Sequence, residues 1–171
     1  MATVIIPFRA DDPKRRLAPL SEETRRELAW AMFVDVWSAC SLVAEPVLAG
    51  MPASQEDAVV EALQHVRGPV AIVNADLPCA TPADVEALLY SAPALVAAED
   101  GTTNALSLPG PELFRPLYGP GSAERFRALG LDPLELPNLV DDVDTTADLE
   151  RVIDRVGPRT RATLEALRVL E

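Results

Sequence analysis

Residues 69–78 read PVAIVNADLP. The run 69–75 is almost continuously apolar and too short for a globular helix. It lacks the alternation of a half-exposed strand. That pattern predicts a central parallel strand covered by helices on both faces. Similar signals recur along the chain. TVIIPF at 3–8 reads as a buried strand that Pro7 stops from pairing further. PVLAG (46–50), PALVAA (93–98), NALSL (104–108) and NLVDDVD (138–144) complete the expected strands. Helical signals fall between them. Ser21 caps a helix to about Val43, with Glu22 and Glu23 in its first turn. Helical periodicity covers 54–66. Thr81, Pro82 and Asp84 form a start signal at cap, first and third positions. A short helix is expected near 121–129, another from Thr145 to about Val156, and a last one over 159–170. Strands alternating with helices predict an α/β fold. We expect three layers, with a mostly parallel sheet and helices on both faces, in a single domain over 1–171.

Composition narrows the partners. Aromatic residues make up 5% of the chain against 49% apolar residues, so Ala, Val and Leu must build the core. A net charge of −12 argues against a nucleic-acid backbone as partner, because phosphates demand a basic face. It leaves open a small anionic ligand, since a bound metal and a few placed cations reverse the local sign. The two cysteines, Cys40 and Cys79, have no metal-ligand spacing and read as ordinary thiols in a reducing compartment. The opening MATVIIPF lacks a basic leader region, and no stretch approaches the ~20 apolar residues of a membrane span. A cytoplasmic protein with no membrane partner is expected.

In an open α/β sheet, ligands gather beyond the carboxyl ends of the strands. Three places qualify: the loop after Phe8, the DLP after Ala75, and the aspartates around 142–144. Asp76 either accepts hydrogen bonds from its own turn or holds a cation. Asp142 and Asp144, two apart on the expected strand, share a face while Val143 points into the core. With a third acid opposite, they form a hard-oxygen site of the kind that suits Mg²⁺. The competing role for Asp144 is to cap the helix starting near Thr145. Lys14 is the sole lysine among fifteen basic residues and stands beside Arg15 and Arg16. Either this is a solvated basic loop, or a phosphate meets a point charge next to a bidentate fork. The loops DGTTNALSL and YGPGSAERF carry backbone N–H groups and hydroxyls that suit a carboxylate or phosphate, and turns need the same residues. His65 reads as a structural or surface residue, and Trp30 and Trp37, seven apart, as core-facing.

These segments, taken in order, resemble the 2-phospho-L-lactate guanylyltransferases and phosphoenolpyruvate guanylyltransferases of coenzyme F-420 biosynthesis. That family is similar in fold to the molybdenum-cofactor guanylyltransferases and other nucleotide-diphospho-sugar transferases. The resemblance rests on IIPFR with PKRRLAPLS, on VNADLP, TTNAL and YGPGS, and on DVDTTADL with the downstream GPRT. It implies that Asp76, Asp142 and Asp144 hold Mg²⁺. It implies that Thr103, Asn104, Gly119 and Ser122 hold a small phospho-acid. Lys14 and Arg16 would face the triphosphate of GTP, and with Asp76 they would be the catalytic residues. Departures from the family pattern are Arg9, Arg15, Thr102 and Phe126. Between PVLAG and PVAIVNADLP there is one helix, where the family carries a further strand and helix. The family often forms homodimers, and no stretch here marks an interface.

The implied reaction moves GMP from GTP onto the phosphate of phosphoenolpyruvate or 2-phospho-L-lactate and releases pyrophosphate. Two alternatives stand beside it. One is a shortened relative that binds a ligand or partner without catalysis. The other is a nucleotidyltransferase with a different base or acceptor.

Overall fold

The apolar runs at 3–8 and 70–73 pair as the centre of one mixed sheet. The structure is a computed structural model that describes residues 1–9, 14–50 and 54–169. Its strands are β1 (Thr3–Phe8), β2 (Glu45–Gly50), β3 (Val70–Val73), β4 (Ala94–Ala97), β5 (Thr103–Leu108) and β6 (Asp132–Pro133), and they lie in the order β2-β1-β3-β5-β4-β6. β1 pairs in parallel with β2 and β3, and β4 in parallel with β6, whereas β5 runs antiparallel to both of its neighbours. β5 therefore begins where β1 and β3 end, so its first residues, Thr103 and Asn104, stand at the carboxyl edge of the sheet.

Seven helices complete the described chain: α1 (Glu22–Ser41), α2 (Gln55–Leu63), α3 (Pro82–Tyr90), α4 (Ser122–Ala128), α5 (Pro137–Val140), α6 (Thr146–Val152) and α7 (Pro158–Ala166). Alternation along the strands sends Ile5, Ile72, Leu106 and Leu108 to one face, against Val59 of α2 and Phe126 of α4. It sends Val4, Ile6, Val73 and Ala105 to the other, against Phe33 of α1 and Leu88 of α3. Each of these side chains other than that of Ala105 contributes about 1.5–3 kcal/mol by leaving water. A third cluster joins Leu17, Met32, Val143, Leu149 and Leu164 beneath the carboxyl edge. Among the described residues no helix is long and apolar enough to cross a membrane.

The helix starts behave as their sequences dictate. Ser21 and Ser54 accept from the main chain at the third helical position, and Thr81 with Asp84 and Thr145 with Asp148 form complete capping boxes. Two expectations are corrected. Trp30 is 48% exposed, because it packs at a tilt against Phe8 and Phe33 on the rim of the α1 layer and not beneath it. NLVDDVD is no strand. It forms the short α5 and then an irregular segment, and the sheet edge beside β4 is taken by β6.

α7 is fastened by a buried charge. Asp35 of α1, 6% exposed, accepts hydrogen bonds from the main-chain N–H groups of Arg159 and Thr160 at 3.0 and 2.8 Å, at the positive end of α7. Gly157 lets this carboxylate approach, since a Cβ there would overlap it. Asp35→Ala leaves those buried donors unpaired and is expected to cost about 2–4 kcal/mol. For a chain of this size that lowers Tm by on the order of 10 °C in a thermal melt, with activity at 25 °C retained.

Candidate active site

Three elements deliver the site. β3 ends at Val73, and the turn that follows carries Asp76, whose main-chain carbonyl accepts the N–H of Val143 at 3.0 Å. That bond brings the segment after α5 against the end of β3. Val143 is fully buried in the cluster with Leu17 and Met32. Its burial turns the flanking Asp142 and Asp144 outward towards Asp76. One oxygen from each of the three carboxylates can be chosen so that all lie within 4.8 Å of one another. Lys14 comes from the loop after β1, held by a turn in which its carbonyl accepts Leu17 N–H at 2.9 Å.

Like charges this close demand compensation. Lys14 Nζ donates to Asp76 Oδ2 and, at 2.7 Å, to Asp144 Oδ1. Arg16 donates to Asp144 Oδ2 at 2.5 Å, although its side chain is 71% exposed and the pair is largely screened. Among the ion pairs of the described residues, three carboxylates meet two cations, and one negative charge is left without a partner. The deficit falls on Asp142, whose carboxyl is pushed up to about 6, chiefly by burial and then by the charge of Asp76. Burial acts against the charge on Lys14, but Asp76 and Asp144 outweigh it and hold the ammonium above its ordinary value. The fourth acid, Asp141, is turned away and paired with Arg151 and Arg155.

The donor set fits a divalent cation. All three groups offer hard oxygen, at the spacing one ion's shell spans. Asp76 Oδ1 is buried and has no hydrogen-bond partner among the described residues. A buried carboxylate oxygen left so is costly unless something fills its valence.

Two cavities flank the three acids. One, of about 180 Å³, is lined by Phe8, Arg9, Lys14, Gln55, Asn74 and Asp76 among others. The second, of about 280 Å³, is lined by Arg16, Glu99, Asp100, Asp142, Asp144 and Arg151 among others. Asp76 faces the first and Asp142 and Asp144 the second, so the acids stand between two spaces.

The other expected site residues are placed differently. Thr103 and Ser122 are buried, with their hydroxyls 2.8 Å apart and bonded to each other. Gly119 has φ 105° and Gly121 φ 72°, values that favour glycine, and this turn starts α4. Asn104 is also buried, and its amide is taken up by the carbonyls of Leu139 and Val140 and by Asp142. Three residues that the sequence reading did not single out join the site. Gln55 Nε2 donates to Asn74 Oδ1 at 2.8 Å across the mouth of the first cavity. A polar residue two before Asp76 in an apolar strand was the available signal for Asn74. Gln55 carried none, since a glutamine at a helix start is unremarkable. Arg151, on α6, enters the second cavity from beside Asp148.

No protein-family model matches the chain. Individual relatives do. It is 33% identical to a 2-phospho-L-lactate guanylyltransferase from Halomicrobium mukohataei, over 88% of this chain and 84% of the relative. Against the enzyme of the same name from Haloferax volcanii the identity is 32%, over 94% and 89%. Against a phosphoenolpyruvate guanylyltransferase from Nocardia farcinica it is 34%, over 91% and 87%. Among solved structures, one described as a nucleotide-diphospho-sugar transferase from Desulfovibrio desulfuricans superposes with a TM-score of 0.74, at 18% identity, covering 99% of this chain and 96% of that one. That likeness establishes the fold. With relatives above 30% identity along most of both sequences, the chain belongs to the family of 2-phospho-L-lactate and phosphoenolpyruvate guanylyltransferases.

Proposed function

We propose that the protein transfers GMP from GTP to the phosphate of a small phospho-acid, phosphoenolpyruvate or 2-phospho-L-lactate, on the route to coenzyme F-420 in the cytoplasm. A phosphate oxygen of the acid attacks the α-phosphorus of GTP. A new P–O–P linkage forms, the bond from the α-phosphorus to the bridging oxygen breaks, and pyrophosphate leaves with the electron pair. The attacking oxygen is already ionised near neutral pH, so no strong base is required.

The barrier is the crowding of anions, and the chain's residues answer it in two ways. Asp76, Asp142 and Asp144 would hold Mg²⁺, which when bound neutralises and orients phosphate oxygens. Lys14 and Arg16 supply positive charge for the leaving pyrophosphate. Thr103, Gly119 and Ser122 stay in the proposal as the wall on the acceptor side, contributing the turn's main chain more than their hydroxyls. What carries this reading is the close approach of three carboxylates with one oxygen of Asp76 buried and unpartnered. Left bare, those acids would repel both substrates.

The test is pyrophosphate release from GTP and Mg²⁺ with each acid in turn. Release with one of the two acids, abolished by chelator and restored by added Mg²⁺, is the expected result. Release that continues undiminished in chelator would overturn the metal-dependent mechanism. No release with either acid would remove the proposed acceptors.

A further inference from the structure

Asn104 is 2% exposed, on the second residue of β5. Its amide nitrogen lies 3.1 Å from the carbonyl of Leu139, 3.0 Å from that of Val140 and 3.3 Å from Asp142 Oδ1. Two of these acceptors end α5, where helical carbonyls lack an intrahelical partner; that of Val140 also accepts the main-chain N–H of Asp142 at 3.1 Å. The third is a carboxylate of the acidic triad. On its backbone side, the Asn104 carbonyl accepts the N–H of Asn74 at 3.0 Å. Asn74 stands two residues before Asp76. One buried residue thus ties together the strand that leads to Asp76 and the turn that presents Asp142.

We propose that Asn104 is a positioning residue for the cation site and orients Asp142 above all. The inference rests on the triad being a divalent-cation site. A carboxylate at the end of an irregular segment has free rotation unless a donor fixes it. The Asn104 amide supplies that donor, its two N–H groups shared among the three acceptors, and by holding the last carbonyls of α5 it also sets where the chain turns towards Asp142. Asp144, by contrast, is fixed by Lys14 and Arg16. Asp142 receives no charged donor at hydrogen-bond distance among the described residues, so its orientation depends on Asn104. Partners of this kind behind metal-binding groups are worth roughly 10–100-fold in metal affinity.

The test compares the full chain with Asn104→Ala, using Mn²⁺ as a spectroscopic probe without nucleotide. The variant is expected to bind Mn²⁺ about tenfold more weakly by paramagnetic resonance titration, with kcat lowered and KM for the phospho-acid unchanged. A variant that melts as the parent does and binds Mn²⁺ equally well would overturn the positioning role and leave the cation site standing. A parent that binds no Mn²⁺ would overturn both. If the variant fails to fold, the parent itself decides. The chain has three asparagines, Asn74, Asn104 and Asn138. In a sample labelled with ¹⁵N at asparagine, Mg²⁺ should shift the Asn104 side-chain amide, with Asn138, bonded to Asp84 and Arg155, as reference. An Asn104 signal unmoved at saturating Mg²⁺ would overturn the proposal.

Discussion

Asp76→Asn is expected to lower turnover by roughly a thousandfold or more while the fold persists. A catalytic divalent ion contributes several kcal/mol to stabilising charge in phosphoryl chemistry, and each 1.36 kcal/mol is a factor of ten in rate. Asparagine keeps the shape of the side chain and one oxygen but loses the charge. The charge is what one of three ligands contributes to a hard cation. The metal-free fold loses little. Lys14 retains Asp144 at 2.7 Å, and the unpartnered Oδ1 of Asp76 no longer belongs to an ion held away from water. Pyrophosphate release, Mn²⁺ titration and a thermal melt separate the outcomes. Lost activity and lost metal binding with Tm within a few degrees is the expected set. A variant that keeps more than a tenth of the parent's activity would show that Asp76 is not a ligand. A drop in Tm large enough to unfold the chain at the assay temperature would make its role structural.

The parts of this architecture that were legible in advance are those with a local cause. The strand at 70–73 followed from four apolar residues in a row, and α3 from a threonine, a proline and an aspartate in capping order. Strand direction was less accessible, because a period of two looks the same read either way. It was still recoverable for β5. Only residues 98–102 separate β4 from β5, far fewer than the dozen or more a parallel crossover needs. The short loop, with Gly101 at φ 83°, permits a hairpin and nothing else.

The aspartates at 142 and 144 give a subtler case. They were expected to share a face because they alternate on a strand, and no strand exists there. They converge all the same, since Val143 is drawn into the core and its N–H is claimed by the Asp76 carbonyl. Alternation survives wherever an extended segment has one apolar residue to bury, ladder or no ladder. Thr103 and Ser122 show the opposite limit. A hydroxyl in a loop can face a ligand or another hydroxyl, and these two bond each other across 19 positions of sequence. No local pattern foretells such a pairing. The same holds for the divided fates of the three clustered aspartates. Asp141 meets Arg151 of α6 and Arg155 of the turn after it, both later in the chain.

Lys14→Ala should have effects of opposite sign on two quantities that usually move together. The Lys14 ammonium bonds Asp76 and Asp144 at once, so it occupies carboxylate oxygens that a divalent ion would need. In the absence of nucleotide it therefore competes with the ion, both by contact and by its charge. Removing one unit of positive charge about 4 Å away changes a divalent cation's energy by roughly 2–8 kcal/mol, depending on local screening. Net of the reorganisation that Lys14 avoids, Mn²⁺ should bind the variant about tenfold more tightly than the parent. Once GTP is present the requirement reverses. The lysine must then neutralise charge on the leaving phosphates, and loss of a placed donor of this kind costs on the order of 10²–10³ in rate. The variant should therefore hold metal better and turn over worse, and it should melt lower than the parent without metal and regain the difference when Mg²⁺ is added. Weaker Mn²⁺ binding in Lys14→Ala would show instead that the ammonium organises the acids for the ion, in which case Lys14 and the cation act together from the start.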